Sequence, residues 1–178
     1  SFMNLTGFRD ANTTFPAPRL YELQKRDIYA EHFICCQEEI PYYGLNSLSR
    51  TERITSALRD GNKKIFLSNL VEKNVGHKIN IHTMLWLDKG SSETKIVINK
   101  GTYASWKFIG TLQNYTQFIN NIYMNVLPFY GLNPREGYDI ETIKEHSDDM
   151  LEFNYFLPVT PQSVIEAAPF PDECWERI

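Results

Sequence analysis

The chain repeats one order of predicted elements, strand-helix-strand-strand, and this repeat limits its possible folds more than any other sequence feature. In the first round, a long predicted strand over about 21–36 precedes a helix that begins near Ser49. Ser49 and Glu52 have the spacing of a capping box, in which each side chain bonds the backbone N–H of the other residue. Apolar runs over 64–71 and 78–87 predict the two strands that follow.

The second round has the same order and a stronger helix. The stretch GTYASWKFIG, over 101–110, is typical of a strand rich in aromatic residues. A helix that ends near 128–131 follows, and the segments REGYDIETI and DMLEFNYFLPV, between Arg135 and Val159, predict the last two strands. Apolar side chains at steps of three and four residues mark one face of the helix: Leu112, Tyr115, Ile119, Ile122 and Val126.

These patterns predict an α+β fold made of two halves related by a pseudo-twofold axis. The halves span about 21–88 and 94–160, each as one strand-helix-strand-strand unit. An antiparallel sheet with both helices on one face would bury the apolar stripes, and a ligand cleft would lie between the halves. An N-terminal arm over 1–20, in which 1–2 are interpreted as a tag remnant, and a C-terminal tail over 161–178 complete the predicted organisation.

Composition and charge argue against several classes of protein. Of the 178 residues, 42% are hydrophobic and 22% are charged, which is ordinary for a globular domain and excludes a disordered chain. The formal net charge of −4 argues against nucleic-acid binding by this domain itself, because phosphate contacts need a basic surface. No apolar run approaches the roughly 20 residues of a membrane span. Cys35, Cys36 and Cys174 lack metal-ligand spacing, and reduced thiols suit a cytoplasmic location.

A single acid in an otherwise apolar strand is the first candidate for a binding residue. In EFNYFLPV, over 152–159, strand alternation places Glu152, Asn154 and Phe156 on one face. The alternate residues are more apolar, so we assign them to the core beneath the helices and assign Glu152 to the concave face. A carboxylate among aromatic rings suits an organic cation. A solvated position near the end of the strand explains the same acid equally well.

Aromatic residues elsewhere provide further candidates. The GTYASWKFIG strand has aromatic side chains on both faces, with Tyr103 on one and Trp106 and Phe108 on the other. We expect one of Tyr103 and Trp106 in the cleft and the other in the core, where a single aromatic residue is more often found. Tyr42, in a predicted loop, is a candidate for the rim of the cleft.

Catalytic and metal-binding patterns are weak. The sequence has no P-loop, GxGxxG, HExxH or GxSxG motif. His82 lies on a predicted strand, where a hydrogen-bonded structural histidine is more common than a catalytic base, and we keep it as a candidate ligand-binding residue. The acidic run EHSDDMLE, over 145–152, fits a solvated hairpin turn better than a metal site. The sequence therefore predicts neither a cofactor nor a metal.

The pattern YASWKFIG, followed by an amphipathic helix and a strand ending in Pro158, resembles the gyrase-inhibitor-like (GyrI-like) effector-binding domain. That family includes the ligand-sensing domains of multidrug-responsive MerR-type and Rob/AraC-type transcription regulators, and also stand-alone proteins. The resemblance covers most of 20–160 and implies a cleft for hydrophobic, often cationic, drugs and dyes. It also implies an acid four residues before the proline. Here that position is Asn154, and the nearest acid, Glu152, lies six residues before Pro158, which leaves room for neutral ligands.

Three classes of function follow from the resemblance. The first is the effector-binding domain of a bacterial transcription regulator that binds a hydrophobic small molecule, cationic or neutral. Such a protein contacts DNA through a fused helix-turn-helix domain, which an arm of about twenty residues cannot hold. The second is a stand-alone hydrolase of reactive hydrophobic compounds, and the third is a stand-alone protein-interaction or inhibitor module. We favour the first because of the doubled layout, the aromatic strand and the lone acid Glu152. We expect a non-enzyme, because the family's usual acid position is occupied by Asn154.

Overall fold

The elements of the structure, a computed structural model, follow the predicted repeat with additional strands around it. The structure describes residues 15–38, 48–60, 64–73, 78–88, 94–161 and 168–170. The first part of the chain contains β1 (Arg19–Leu23), β2 (Arg26–Glu38), α1 (Leu48–Arg59), β3 (Lys64–Lys73), β4 (Lys78–Trp86) and β5 (Thr94–Ile98).

The second part repeats this order after β5. It contains β6 (Gly101–Gly110), α2 (Leu112–Asn121), a π-helical turn (Ile122–Val126), α3 (Leu127–Tyr130), β7 (Leu132–Pro134), β8 (Ile140–Ser147), β9 (Met150–Pro161) and β10 (Ala168–Pro169). The predicted repeat is thus confirmed, as β2-α1-β3-β4 and again as β6-α2-β8-β9.

One sheet runs through both halves in the order β10-β1-β6-β9-β8-β3-β4-β2-β5, and β7 pairs with β9 off this path. Among the described residues, β1 and β10 are parallel and the other neighbours are antiparallel. The central strands are β6-β9-β8 from one half and β3-β4-β2 from the other, so equivalent strands occur in reverse order on either side of the β8–β3 contact. A pseudo-twofold axis between β8 and β3 would produce this order. The predicted α+β fold of two related halves is therefore confirmed.

The sheet is strongly curled. β1 and β2 are connected by Gln24 and Lys25 alone, although β6, β9, β8, β3 and β4 lie between them in the sheet. In a flat sheet, six strand spacings would separate β1 from β2 by about 29 Å. The connection from Leu23 to Arg26 spans at most about 11 Å, so the two ends of the sheet must approach each other. The predicted single strand over 21–36 is wrong, because two strands at distant positions take its place.

The helices cover one face of the sheet, here called the helix face. α2 begins after Thr111, whose hydroxyl accepts the backbone N–H of Asn114 at 3.2 Å and so caps the helix. The assignment of Phe153, Tyr155 and Leu157 on β9 to the core beneath the helices is confirmed. Within the described ranges, the structure has no helix with the length and apolar character to cross a membrane.

The opposite face, here called the inner face, is filled at its centre by apolar side chains from both ends of the sheet. Leu23 on β1 and Ile98 on β5 belong to the same buried cluster as Phe66 on β3 and Phe156 on β9. These residues meet because the sheet curls toward this face, and their burial removes a large apolar area from water. The inner face therefore has a core of its own, which needs no helix to cover it.

Candidate functional site

A group of buried polar side chains, here called the polar cluster, lies on the helix face where the two halves meet. α1 contributes Arg50, α2 contributes Tyr115, and the strands around the β8–β3 contact supply most of the others. The cluster thus joins both helices and both halves of the sheet. Its members, all buried, are Arg50, Asn69, Thr83, Tyr115, Asp139, Glu141 and Tyr155.

The centre of the polar cluster is an ion pair. Nη2 of Arg50 lies 2.8 Å from each carboxylate oxygen of Glu141, and the two side chains are 1% and 0% exposed. The hydroxyl of Tyr115 donates to Oε1 of Glu141 at 2.8 Å, and the side-chain amide of Asn69 donates to Oε2. These hydrogen bonds replace the water that the Glu141 carboxylate loses on burial, and they offset much of the cost of burying its charge.

A second carboxyl group, that of Asp139, lies beside the ion pair and accepts hydrogen bonds from neutral donors. Its Oδ1 accepts the backbone N–H of Asn69 at 2.7 Å and the Asn69 amide at 3.0 Å, and its Oδ2 accepts the hydroxyl of Tyr155 at 2.8 Å. Burial, and then the charge of Glu141, raises the pKa of Asp139 to about 7. The charge of the polar cluster therefore changes near neutral pH.

The tyrosines of the cluster are hydrogen-bond donors. The Tyr155 hydroxyl donates its hydrogen bond to Asp139 and lies 2.7 Å from the Tyr123 hydroxyl. Because the one hydrogen of the Tyr155 hydroxyl is used in this way, Tyr123 is the donor in the hydrogen bond between the two tyrosines. Burial, and then the charge of Asp139, raises the pKa of Tyr155 well above its usual value, and burial followed by Glu141 does the same for Tyr115. Both hydroxyls stay protonated at neutral pH and hold the carboxylates in place.

A cleft of about 760 Å³ opens on the helix face between α1 and the start of α2. Its apolar wall includes Ile54 and Leu58 on α1 and Leu112 on α2, and the β8–β9 hairpin forms another side. Ile54 follows Arg50 by one helical turn, and Leu112 precedes Tyr115 by about one turn. The cleft therefore lies next to the polar cluster, and the same two helices form the walls of both. It lies between the halves, as predicted, but on the helix face and not on the face that lacks helices.

The residues predicted to form the site do not converge there. Glu152, Asn154 and Phe156 share the inner face of β9, as strand alternation indicated, but Phe156 is buried in the inner apolar cluster. Glu152 is 13% exposed, and its carboxylate has three basic neighbours: Lys144 Nζ at 3.6 Å, Lys107 Nζ at 3.7 Å and His146 Nδ1 at 3.9 Å.

Tyr103 and Trp106 lie in two different cores. Tyr103 is buried on the inner face and donates its hydroxyl to the backbone oxygen of Asn99 at 2.7 Å. Trp106 is buried on the helix face, where its indole N–H donates to the backbone oxygen of Pro16 at 3.0 Å. Phe108 also faces the helices and packs on α2. We expected one of Tyr103 and Trp106 to face the cleft. Instead, strand alternation places them on opposite faces of the sheet, and each is buried in the core of its face.

His82 lies on the inner face beside His32, with the ring centroids 5.1 Å apart. Its Nδ1 is 2.9 Å from Nε2 of His32, and its Nε2 is 3.3 Å from Oε1 of Glu72. These contacts fit the hydrogen-bonded structural histidine that was weighed against a binding role. Tyr42 lies outside the described residues. Ligand contact by any of the predicted site residues stays a prediction.

The polar cluster was missed in the sequence, although two signals pointed to it. Glu141 lies two residues before Ile143, so the acid occupies a position in phase with the apolar residues that face the helices. Tyr115 lies in the apolar stripe of α2, where a buried hydroxyl needs a partner. A charged or hydroxyl-bearing side chain in phase with a core stripe therefore predicts a buried polar contact across two elements.

Residues 60–160 match the sequence profile of the GyrI-like small molecule binding domain. The chain belongs to the GyrI-like family. The predicted resemblance is thus confirmed. The GyrI-like chain is also 34% identical over 161 residues to the F1 operon positive regulatory protein of Yersinia pestis. That match covers 89% of this chain and 53% of the relative, so this chain spans about half the length of the relative.

Two solved structures share the GyrI-like fold. One is SAV2435 bound to tetraphenylphosphonium, with a TM-score of 0.55, 11% identity and coverage of 80% of this chain and 93% of that chain. The other is a putative bacterial transcription regulation protein from Staphylococcus aureus MU50, with a TM-score of 0.53, 11% identity and coverage of 80% and 97%. The matched family is that of a small-molecule binding domain.

Proposed function

We propose that this GyrI-like domain binds a hydrophobic small molecule in the cleft between α1 and α2 and acts as the ligand sensor of a bacterial transcription regulator. The observation that carries the proposal is the position of the cleft, which lies beside a buried polar cluster shared by both halves. A ligand that moves one helix relative to the other would have to change the contacts of that cluster.

The cleft has the size and lining of a site for a drug-sized molecule. Its volume of about 760 Å³ lies within the usual range for small-molecule pockets, roughly 300 to 1,000 Å³. Ile54, Leu58, Leu112 and Leu151 give it an apolar part for a hydrophobic ligand, and polar and charged side chains of α1 and the β8–β9 hairpin line the rest. The tetraphenylphosphonium bound to SAV2435, which shares this fold, is a hydrophobic molecule and supports the same class of ligand.

Signalling would use the contacts that connect the two halves. Arg50 on α1 bonds Glu141 on β8, and Tyr115 on α2 bonds the same carboxylate. Ligand binding can shift the equilibrium between two packings of α1 and α2 only if the ligand prefers one of them. In a regulator that fuses this domain to a DNA-binding domain, such a shift would reach the DNA-binding domain. We propose that the domain binds its ligand without converting it. Membership of the MerR-type class and a cytoplasmic location stay predictions.

Filling the cleft is expected to abolish ligand binding. We expect Leu58→Trp to occupy part of the cleft and Ile109→Trp, on the exposed part of the inner face, to leave it open. A compound that binds the unmodified protein at ~100-fold excess over its Kd should stabilise it by about 2.7 kcal/mol, which raises the Tm by about 5 to 10 °C. Thermal unfolding with a library of aromatic compounds measures this shift.

The outcome distinguishes the three classes of function. A Tm shift that is lost in Leu58→Trp and kept in Ile109→Trp supports the sensor. A ligand that is consumed, seen as a new mass after incubation with the protein, supports the hydrolase instead. If no compound raises the Tm of any variant, the cleft is not a small-molecule site and the protein-interaction module becomes the better proposal.

A further inference from the structure

We infer that two copies of this chain pair through the outer edge of β2, over residues 31–38, and join their sheets into one. The inference concerns assembly, so it goes beyond the proposed function and does not depend on ligand binding. Its basis is a row of outward-pointing backbone groups on an edge that lacks the usual protection against strand pairing.

The outer edge of β2 is covered along only part of its length. β5 pairs with β2 over residues 26–30, and this ladder ends at the pair of Ala30 and Thr94. On its other side, β2 pairs with β4 as far as Glu38. In the part of the chain that the structure describes, residues 31–38 therefore have no strand on the side away from β4.

Alternation along β2 determines which backbone groups point outward. The backbone N–H of Leu87 donates to the backbone oxygen of Tyr29 at 2.8 Å, so the backbone groups of Tyr29 point toward β4. Successive residues of a strand direct their N–H and C=O to opposite sides, and the register of β2 with β4 is unbroken over 30–38. The residues whose N–H and C=O point to the open edge are His32, Ile34 and Cys36.

This edge lacks the features by which soluble proteins prevent strand pairing. Such features are prolines, charged side chains, β-bulges and very short strands. The segment HFICCQ, over 32–37, contains no proline and no Asp, Glu, Lys or Arg, and its register with β4 has no bulge. Glu31, just before it, forms an ion pair with Arg53 of α1. Neither charge nor geometry therefore closes the edge to another strand.

Exposed apolar side chains lie beside the open edge. Ile34 is 49% exposed, and Leu70 on β3 is 37% exposed. Both are paired in register with His82 on β4, so the three residues form one row on the inner face. A strand added at the edge of β2 would cover part of Ile34. Burial of this apolar surface would add to the backbone hydrogen bonds in stabilising the contact.

A second copy of this chain is the partner that fits the open edge. Its β2 has the same outward groups at the same spacing, and an antiparallel contact around a twofold axis satisfies both edges at once. With Ile34 opposite Ile34 of the partner subunit, His32 lies opposite the partner's Cys36, and the facing groups form about six hydrogen bonds. This register also places Glu31 opposite a neutral residue, the partner's Gln37.

The size of the contact sets its expected strength. Stable complexes bury about 1,200 Å² or more in total, and one strand pair with one exposed isoleucine from each copy buries less. We therefore expect a reversible dimer with a dissociation constant of roughly 10 µM. Because the contact uses the same edge of both copies, assembly by this route ends at two chains.

Sedimentation equilibrium tests the dimer, at protein concentrations from about tenfold below to about tenfold above the expected dissociation constant. Ile34→Lys places a charge at the centre of the contact and leaves the backbone unchanged. Ile34→Pro removes an outward N–H, whereas the hydrogen bonds to β4 belong to the neighbouring residues. The matched control is Met124→Lys, because Met124 is a 70% exposed apolar side chain on the π-helical turn, outside β2.

We expect the unmodified protein and Met124→Lys to form the dimer with the same affinity. Each substitution of Ile34 should weaken it by about tenfold or more. If Ile34→Pro does not fold, Ile34→Lys decides the question.

Hydrogen exchange of single amides locates the contact on β2. In the dimer, the amides of His32, Ile34 and Cys36 should exchange more slowly as the protein concentration rises. The amides of Phe33 and Cys35 already point to β4, so their exchange should change much less.

A protein that stays monomeric at every concentration would overturn the inference and leave the open edge to a strand from a different partner. A dimer that persists in Ile34→Lys, or that forms without protecting the three outward amides, would overturn it as well. Oligomers that keep growing beyond two chains would show a different contact and have the same consequence. None of these results affects the proposed function, which is tested by ligand binding to the cleft.

Discussion

Replacing Arg50 with Met is expected to lower the free energy of unfolding by about 3 to 5 kcal/mol, because it leaves the buried carboxylate of Glu141 without its cation. The loss has this size because both side chains are almost fully buried, so water cannot replace the guanidinium. Urea denaturation of both proteins measures the difference.

Two comparisons make this prediction specific to the buried pair. Arg53→Met on the same helix should cost about 1 kcal/mol or less, because its partner Glu31 is also exposed to solvent. The double substitution Arg50→Met with Glu141→Leu should cost less than the sum of the single ones, because it leaves no unpaired charge. An Arg50→Met protein as stable as the Arg53→Met protein would show that the ion pair contributes little to the folded state.

Asp139 is expected to make the protein less stable as the pH rises from about 4 to about 7. The carboxyl has a pKa of about 7 in the folded protein and about 3.9 in an unfolded chain. Between these values the folded state holds a proton that the unfolded state has lost, so raising the pH favours unfolding. The difference of about three pH units corresponds to about 4 kcal/mol at most, and the loss should level off above about pH 7.

The substitution Asp139→Asn separates this effect from the titration of other groups. The new side chain keeps an oxygen that can accept the hydrogen bonds from Asn69. Its amide N–H can donate a hydrogen bond to the Tyr155 hydroxyl. The stability difference between Asp139→Asn and the unmodified protein should therefore change by about 3 kcal/mol between about pH 4 and pH 7, in favour of the variant. Chemical denaturation at several pH values measures it. Parallel stability curves for the two proteins would mean that Asp139 titrates near its unfolded value.

Local patterns were enough to predict the repeat. Each predicted element has a pattern of apolar residues that repeats within a few positions along the chain, such as the apolar stripe of α2. The same order of elements appears in both halves. The break between β1 and β2 was not predictable in this way. The segment 21–36 contains no Gly or Pro that would mark a turn, and the interruption at Gln24 and Lys25 depends on β1 pairing with β6, which is distant in sequence.

The polar cluster was harder to predict because its meaning depends on which elements meet. Glu152 attracted attention as a lone acid among aromatic residues, yet basic residues of β6 and β8 surround it in the sheet. Glu141 stands in an ordinary mixed sequence, and only the pairing of the two halves brings Arg50 to it. A sequence shows which side chains share a face of one helix or strand. Whether a buried charge forms an ion pair depends on which side chains another helix or strand brings to it.

The short connection between β1 and β2 has a consequence for synthesis on the ribosome. β1 emerges first, but it pairs with β6, and the paired residues Leu23 and Gly101 are 78 positions apart in the chain. Until β6 has emerged, Leu23 and Ile28 cannot enter the inner apolar cluster that the closed sheet forms around them. The nascent chain therefore carries exposed apolar strands while the second half is made, a period in which chaperones protect such chains from aggregation.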